Sequence, residues 1–271
     1  MAILEPFALA IGFLLSYVYD FTLSYGFAIA ILTVIINVII FPLTLRQTRS
    51  TKRMQDAQSD IKKLQKQHKD NKDDLNKAMA AMYKEKGINP LGCILPLIIQ
   101  MPIWFALFRV LREPLSFIPS NSVLFKDLEI STSLTFFNMD LQIPPSEVAS
   151  WVDRVPYLIL ILFVILTALY QQQQITKKTG KSDNPQAQQM QMVGKVMPIF
   201  FGFISWTLPT GLVVYFLTGN IFRIGQQALI VKLDDREEVK KEDKKEENNE
   251  DSKSNPIQEN PRKNRKKRRR K

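Results

Sequence analysis

Arg223 is the residue of this chain hardest to place by composition, because it stands among twenty residues, Leu212 to Val231, that carry no other formal charge. A guanidinium near the centre of a bilayer costs about 2.5–3.5 kcal/mol on insertion scales. It therefore has to face water or a polar partner, which makes it a candidate binding group. Four uncharged polar residues sit in similar apolar settings: Thr33 and Asn37, Gln100, and Asn220. Thr33 and Asn37 are four apart and share one helical face. With Gln226 and Gln227, Asn220 and Arg223 form a polar stripe at helical spacing. Such groups attract and hydrogen-bond a polar segment. They cannot do covalent work, since no Asp, Glu or His stands with them and a nucleophile–base pair has no parts.

Other chemistry is equally short of residues. His68 is the single histidine, set in a Lys/Gln-rich run, and Cys93 is the single cysteine. No metal-ligand spacing and no internal disulfide can be drawn from them. No glycine-rich phosphate loop is present, so neither nucleotide hydrolysis nor any cofactor is implied, and the chain does not read as an enzyme. Two plainer readings stay open beside the binding one. Asn37 can tie helices together, and Arg223 can snorkel toward the inner headgroups. Arg109, Arg112, Trp104, Trp151 and Trp206 read as interfacial anchors or packing residues.

The elements that position these residues are membrane spans. The mean hydropathy of −0.09 blends opposite populations: 26–45 has no charge, while Arg262–Lys271 holds nine cations. Roughly 20 apolar residues cross a bilayer core about 30 Å thick. Five stretches qualify, at about 26–45, 91–110, 155–170, 196–208 and 212–231. The last two are one long apolar run broken at Pro209-Thr210-Gly211 into a hairpin. The third and fourth are short, which predicts local bilayer thinning or shielding by protein. The fold class is thus an all-α integral membrane protein with a five-helix transmembrane core, a cytosolic helical hairpin and a disordered basic tail.

Lys/Arg bias orients it. The loop 46–90 carries twelve Lys/Arg; the loop 113–154 has only Lys126 and Arg154 against six acids. The third loop again holds Lys177, Lys178, Lys181 and Lys195. A multi-pass plasma-membrane protein results, N-terminus outside and C-terminus in the cytosol. Residues 1–24 lack the basic region of a secretory signal and read as an outer interfacial helix over 6–19, with an extra span as the alternative. Within 46–90, Ala57, Ile61 and Leu64, then Leu75, Met79 and Met82, recur at helical spacing around a polar turn, which predicts a hairpin of two narrow-striped helices. Asn37 and Arg223 each precede the first cytosolic cation of their helix, Arg46 and Lys232, by nine residues. At 1.5 Å per residue they stand at similar depth.

The tail 233–271 is too poor in apolar residues to fold. Its terminal block, Arg262, Lys263, Arg265, Lys266, Lys267, Arg268, Arg269, Arg270 and Lys271, favours polyphosphate through counterion release or anionic lipid headgroups. Ribosomal RNA, anionic lipid and a plain topology determinant all fit.

Asn89-Pro90-Leu91-Gly92-Cys93-Ile94-Leu95-Pro96-Leu97-Ile98-Ile99-Gln100-Met101-Pro102-Ile103 resembles the second core span of the YidC membrane-protein insertases, bacterial relatives of the Oxa and Albino proteins. Met197-Pro198-Ile199-Phe200, Leu208-Pro209-Thr210-Gly211-Leu212 and Tyr215-Phe216-Leu217-Thr218-Gly219-Asn220 with Gln226-Gln227 resemble that family's last two spans. Tyr25-Gly26-Phe27-Ala28-Ile29 and Phe41-Pro42-Leu43-Thr44 resemble its first. The likeness runs in order from Tyr25 to about Lys232 and is weakest over 113–154. It implies an insertase or chaperone with a hydrophilic groove open to the cytosol and to lipid, closed outward. A cytosolic hairpin would sit at the mouth and a basic tail would approach the ribosome. The implied partners are nascent membrane proteins, the ribosome and anionic lipids, with a Sec translocon left open. A ribosome-docking scaffold is the alternative, and a small-solute transporter a weaker one, since no inverted repeat is visible. One departure stands out: the family usually has an arginine in the frame of Asn37, and an uncharged residue at Arg223.

Overall fold

The computed structural model describes residues 4–69, 71–88, 95–130, 134–176, 196–230 and 232. The expected signature stretch Asn89–Ile94, the loop lysines 177, 178, 181 and 195, and the whole tail 233–271 lie outside the described residues. The chain divides into two units, Met1–Gln227 and Ala228–Lys271. Of the second, residues 228–230 and 232 are described, and they are helical.

The apolar runs become helices here, even across Pro42, Pro102 and Pro156, because their backbone groups must be satisfied internally. In order these are α1 (Glu5–Thr22), α2 (Tyr25–Asp56), α3 (Gln58–Gln67), α4 (Lys72–Glu85), α5 (Leu95–Arg112), α6 (Val123–Ile130), α7 (Trp151–Thr176), α8 (Val196–Ser205) and α9 (210–230). A two-stranded antiparallel hairpin, β1 (Thr135–Phe136) with β2 (Met139–Asp140), pairs Phe136 with Met139. Among the described residues, two helical segments, Tyr25–Met54 and Trp151–Gln174, are by themselves long and apolar enough to cross a membrane.

Two helices overrun the apolar stretches that announce them. From Arg46 to Asp56, α2 continues without interruption, because that segment has no Gly or Pro and consists largely of tolerable helix formers. Charge marks where the bilayer ends, not where the helix does. The hairpin of 46–90 therefore begins later than its first cation, at α3. Likewise α7 runs 26 residues, past Tyr170 into Gln171–Gln174. The short third span expected from 155–170 is a full-length helix with polar ends, and the bilayer thinning inferred from its shortness has no basis.

The core of the first unit gathers Leu15 of α1, Ile29 and Leu32 of α2, Leu107, Val110 and Leu111 of α5, and Leu212, Val213 and Tyr215 of α9, all buried. Helix α1 is two-faced: Ala8, Ile11, Leu15 and Tyr19 are buried, while Phe7, Phe13, Tyr17 and Phe21 are exposed. Its inner face packs on α2, α5 and α6, and Tyr19 donates a 2.8 Å hydrogen bond to Asp127 of α6.

One end of the bundle is sealed by the segment 134–148. Gly211 N donates to Leu141 O at 2.8 Å, Thr210 N and Oγ1 donate to Ile143 O at 3.1 and 2.7 Å, and Ser146 N donates to Trp206 O at 3.1 Å. The turn between α8 and α9 is thereby stitched to the loop. Tyr157 of α7 accepts from Asp140 N at 2.6 Å, and the Arg154 guanidinium lies 4.9 Å over Trp151 and 5.9 Å from the Trp206 ring. Two glycines admit neighbouring loops. A methyl on Gly26 would overlap the Phe136 ring of the seal, and one on Gly12 would overlap the Phe117 carbonyl of the segment after α5.

Helices α3 and α4 pack on each other around Ala57, Met82 and Ile88. The Asn71 side chain caps α4, accepting from Asp73 N and Asp74 N, and Lys86 donates to Asp60 across the pair. That hydrogen bond, then the Lys86 charge, holds the Asp60 carboxyl below its ordinary range, and Lys63 adds to it.

Two expectations follow. Gly12→Ala should destabilise the fold more than Gly26→Ala, since a backbone carbonyl cannot swing away as a ring can; overpacking of this kind costs about 1–3 kcal/mol, read as the order of thermal midpoints in detergent. A carboxylate with a depressed pKa stabilises above its unfolded pKa and loses that contribution as pH falls through the folded one. Amide protection in α3 and α4, taken relative to the intrinsic exchange rate at each pH, should therefore fall on acidification below the ordinary carboxylate range. In Asp60→Asn this acid-dependent step should be absent.

Candidate functional site

Helix α9 brings the candidate polar residues into register with three neighbours. On α2, Ile29 lies against Gly211 and the Thr33 methyl lies against Gly219, so α2 and α9 run side by side in the same direction. Four residues further along each helix, Asn37 and Arg223 fall at one level. On α5, Gln100 donates from Nε2 to the Tyr215 hydroxyl. On α7, the Val164 carbonyl and the Thr167 hydroxyl receive Asn220 Nδ2 at 3.4 and 3.3 Å.

The Arg223 side chain does not run toward the far end of its helix. It folds back, donating from Nε to Gly219 O at 3.2 Å, and it lies within electrostatic reach of Tyr215. Side chains on a helix lean toward its N-terminus, and for α9 that is the sealed end. Gly219 is eight residues from Gly211, about 12 Å along the axis. The half-buried Arg223 thus has its guanidinium turned toward the middle of α9 rather than along the helix toward Gln227.

The other polar groups divide by what already satisfies them. Thr33 is fully buried, and its hydroxyl donates to Ile29 O at 2.6 Å, so only its methyl faces α9. The half-buried Asn37 donates from Nδ2 to Thr33 O at 2.7 Å, a bond within its own helix. Asn220 is turned about 100° around α9 from Gly219 and is tied to α7. The structure therefore sets the Thr33 methyl and Arg223 together beside Gly219 at the α2–α9 seam, ties Asn37 back to its own helix, places Gln100 one step toward the seal through Tyr215, and ties Asn220 to α7. Toward the opposite end, Gln226 Nε2 and Gln174 Oε1 are buried with no partner among the described residues. Buried amides are seldom left so, and these two extend the polar face beyond Arg223.

Residue-type reasoning misses Tyr215 and Gly219. With Arg223 they form an i, i+4, i+8 row, a signal that becomes visible only once Arg223 is taken as the anchor. No group of three or more His, Cys, Asp or Glu that could hold a metal occurs among the described residues. The arrangement offers a fixed positive charge, amide donors and acceptors, and apolar walls, which suit reversible binding of a polar or acidic segment.

Known proteins share both sequence and fold with this chain. The sequence profile of the 60Kd inner membrane protein family matches residues 17–238. Proteins named membrane protein insertase YidC are similar to it: that of Chlorobium limicola is 31% identical over 82% of this chain, that of Chloroherpeton thalassium 33% over 80%, and that of Helicobacter pylori 33% over 84%. The matched regions span 35%, 34% and 36% of those proteins' own lengths, so the chain corresponds to about a third of each. A crystal structure described as an active YidC insertase with its first transmembrane domain resolved superposes with a TM-score of 0.50. It has 24% identity and covers 79% of this chain and 43% of the other.

The Gln100–Tyr215 tie makes a prediction of its own. Gln100→Leu or Tyr215→Phe alone should cost about 1–3 kcal/mol, because each strands its buried partner, whereas the double substitution should cost less than the sum of the two. Thermal unfolding of the four proteins in one detergent gives the comparison.

Proposed function

The chain belongs to the 60Kd inner membrane protein family, and from that membership together with the charge held beside the middle of α9 we propose that it is a membrane protein insertase. It moves nascent hydrophobic segments from the cytosol into the bilayer without nucleotide hydrolysis. Five spans, α2, α5, α7, α8 and α9, enclose a hydrophilic groove. Its sealed end faces outward, and its polar end opens to the cytosol. The Lys/Arg distribution supports this orientation, with the N-terminus outside and the C-terminus inside.

The work is physical. A nascent span must carry its polar, often acidic, flank across hydrocarbon. A polar face reaching mid-membrane shortens the distance that flank travels unsolvated. Arg223 attracts the flank, Asn37 and Gln100 offer amide hydrogen bonds beside it, and Asn220 keeps α9 fixed on α7. The apolar part of the client then slides between helices into lipid, driven by burial worth about 25 cal/mol per Å². The cationic tail from Arg262 to Lys271 brings the ribosome or anionic lipid to the inner mouth. α3 and α4 stand at that mouth as a mobile hairpin.

The observation that carries the reading is the direction of Arg223. A charge folded toward the sealed end, away from the nearer aqueous face, is expensive to hold unless something polar visits it. In the family's usual frame the groove cation belongs at Asn37. The charge has moved from the first span to the fifth, at the same level. Reconstitution into liposomes with a small single-span client, scored by protease protection, tests this. Arg223→Ala should cut insertion of an acidic-flanked client by about tenfold, corresponding to ~1.4 kcal/mol, and Asn37→Arg added to it should restore part of the loss. Wild-type insertion by Arg223→Ala would sink the assignment. A chain ending at Lys232 should still insert a released client, whereas loss of all insertion with the tail would favour a ribosome-docking scaffold.

A further inference from the structure

Glycine in the interior of a helix is unfavourable, and α9 carries one at 219 without a backbone reason, since Gly87 is the only described glycine with positive φ. The surroundings of Gly219 suggest a different reason. A methyl added there would lie 3.0 Å from Arg223 Nη2 and 3.9 Å from its Cζ, and the other near atom, Thr33 Cγ2, stands at an ordinary 3.8 Å. We infer that Gly219 is a positioning residue, the seat on which the Arg223 guanidinium rests, and that it sets the height at which the groove presents its charge to an acidic client flank. The inference rests on the reading of Arg223 as the groove cation.

The contrast with the other tight glycines gives the point its force. At Gly12 the obstacle to a methyl is a backbone carbonyl, at Gly26 an aromatic ring, at Gly202 the packed Ile165 side chain, and at Gly211 the Ile29 methyl and the Leu141 carbonyl together. Those glycines hold the fold closed. At Gly219 the crowded atom is the free end of a long, flexible side chain. That end can move without disturbing any element, and what it carries away is the charge. A methyl at 219 therefore spares the helix, indeed favours it, and lifts the guanidinium off its seat. The Nε–H bond to Gly219 O fixes the root of the same arrangement. Backbone carbonyl and missing methyl thus come from one residue, four before the arginine, where helix geometry puts a side-chain neighbour.

Gly225 supplies the matching control. It lies in the same helix, two residues after Arg223, with nothing within 4 Å of a methyl placed on it. The test reconstitutes the full chain and measures insertion of two single-span clients that differ only in Asp or Asn at one flank position; the ratio reads preference for the acid. Wild type and Gly225→Ala should share one ratio above unity. Gly219→Ala should melt no lower than wild type yet lose the preference several-fold, and Arg223→Ala should abolish it. In the Arg223→Ala background, Gly219→Ala should leave the ratio unchanged and melt no lower. Retention of the wild-type ratio by Gly219→Ala, while Arg223→Ala loses it, overturns the seat and leaves the groove cation standing. Equal loss with both clients in both backgrounds marks Gly219 as merely structural and also overturns the seat. Retained acid preference in Arg223→Ala overturns the groove-charge reading itself.

Discussion

A permanently charged side chain among apolar helices sets the terms for everything around it. Arg223 cannot shed its proton under ordinary conditions, and its charge is not neutralised by a described ion-pair partner. Its neighbours instead supply dipoles: the Gly219 carbonyl accepts from Nε, and the Tyr215 hydroxyl, itself held by Gln100, stands beyond. Dipoles soften the cost of such a charge without cancelling its field. Where an ion pair would be self-contained, this guanidinium keeps an uncancelled field among apolar walls, which is the basis of the groove-cation role proposed for it.

Directionality comes from the seal. Three backbone amides and a hydroxyl of the α8–α9 turn and its loop are joined across 134–148 and 206–211, and Leu141 and Leu212 beside them are fully buried. The unpartnered amides of Gln174 and Gln226 lie at the other end of the same helices. Polar at one end and stitched shut at the other, the bundle distinguishes its two faces by hydrogen bonding as well as by surface charge.

How much of this could be read from the residues alone depends on how local the signal is. A polar residue inside an apolar run is a local signal, so Arg223, Asn37, Thr33 and Gln100 are visible in the sequence. Their level along the membrane follows from counting to the next cation, because helical rise is constant. What those residues touch is not local. Whether Asn220 meets α2 or α7 turns on a 100° rotation that depends on neighbours far away in the chain. Thr33 looks like a groove hydroxyl until its bond to Ile29 O is seen. Tyr215 and Gly219 are ordinary residues for an apolar helix, and their part emerges only beside Gln100 and Arg223. Helix ends fail for another reason: composition changes at the membrane surface, whereas α2 and α7 end where backbone propensity lets them.

The uninterrupted passage of α2 from Tyr25 to Asp56 has a mechanical corollary. At 32 residues it is a rod about 48 Å long, against a hydrocarbon layer of about 30 Å, so roughly a third of it projects beyond the bilayer and ends at the α3–α4 pair. Thr33 and Asn37 therefore stand on the same continuous helix that leads to the α3–α4 pair, with no loop between them, and Pro42 removes one backbone hydrogen bond partway along it.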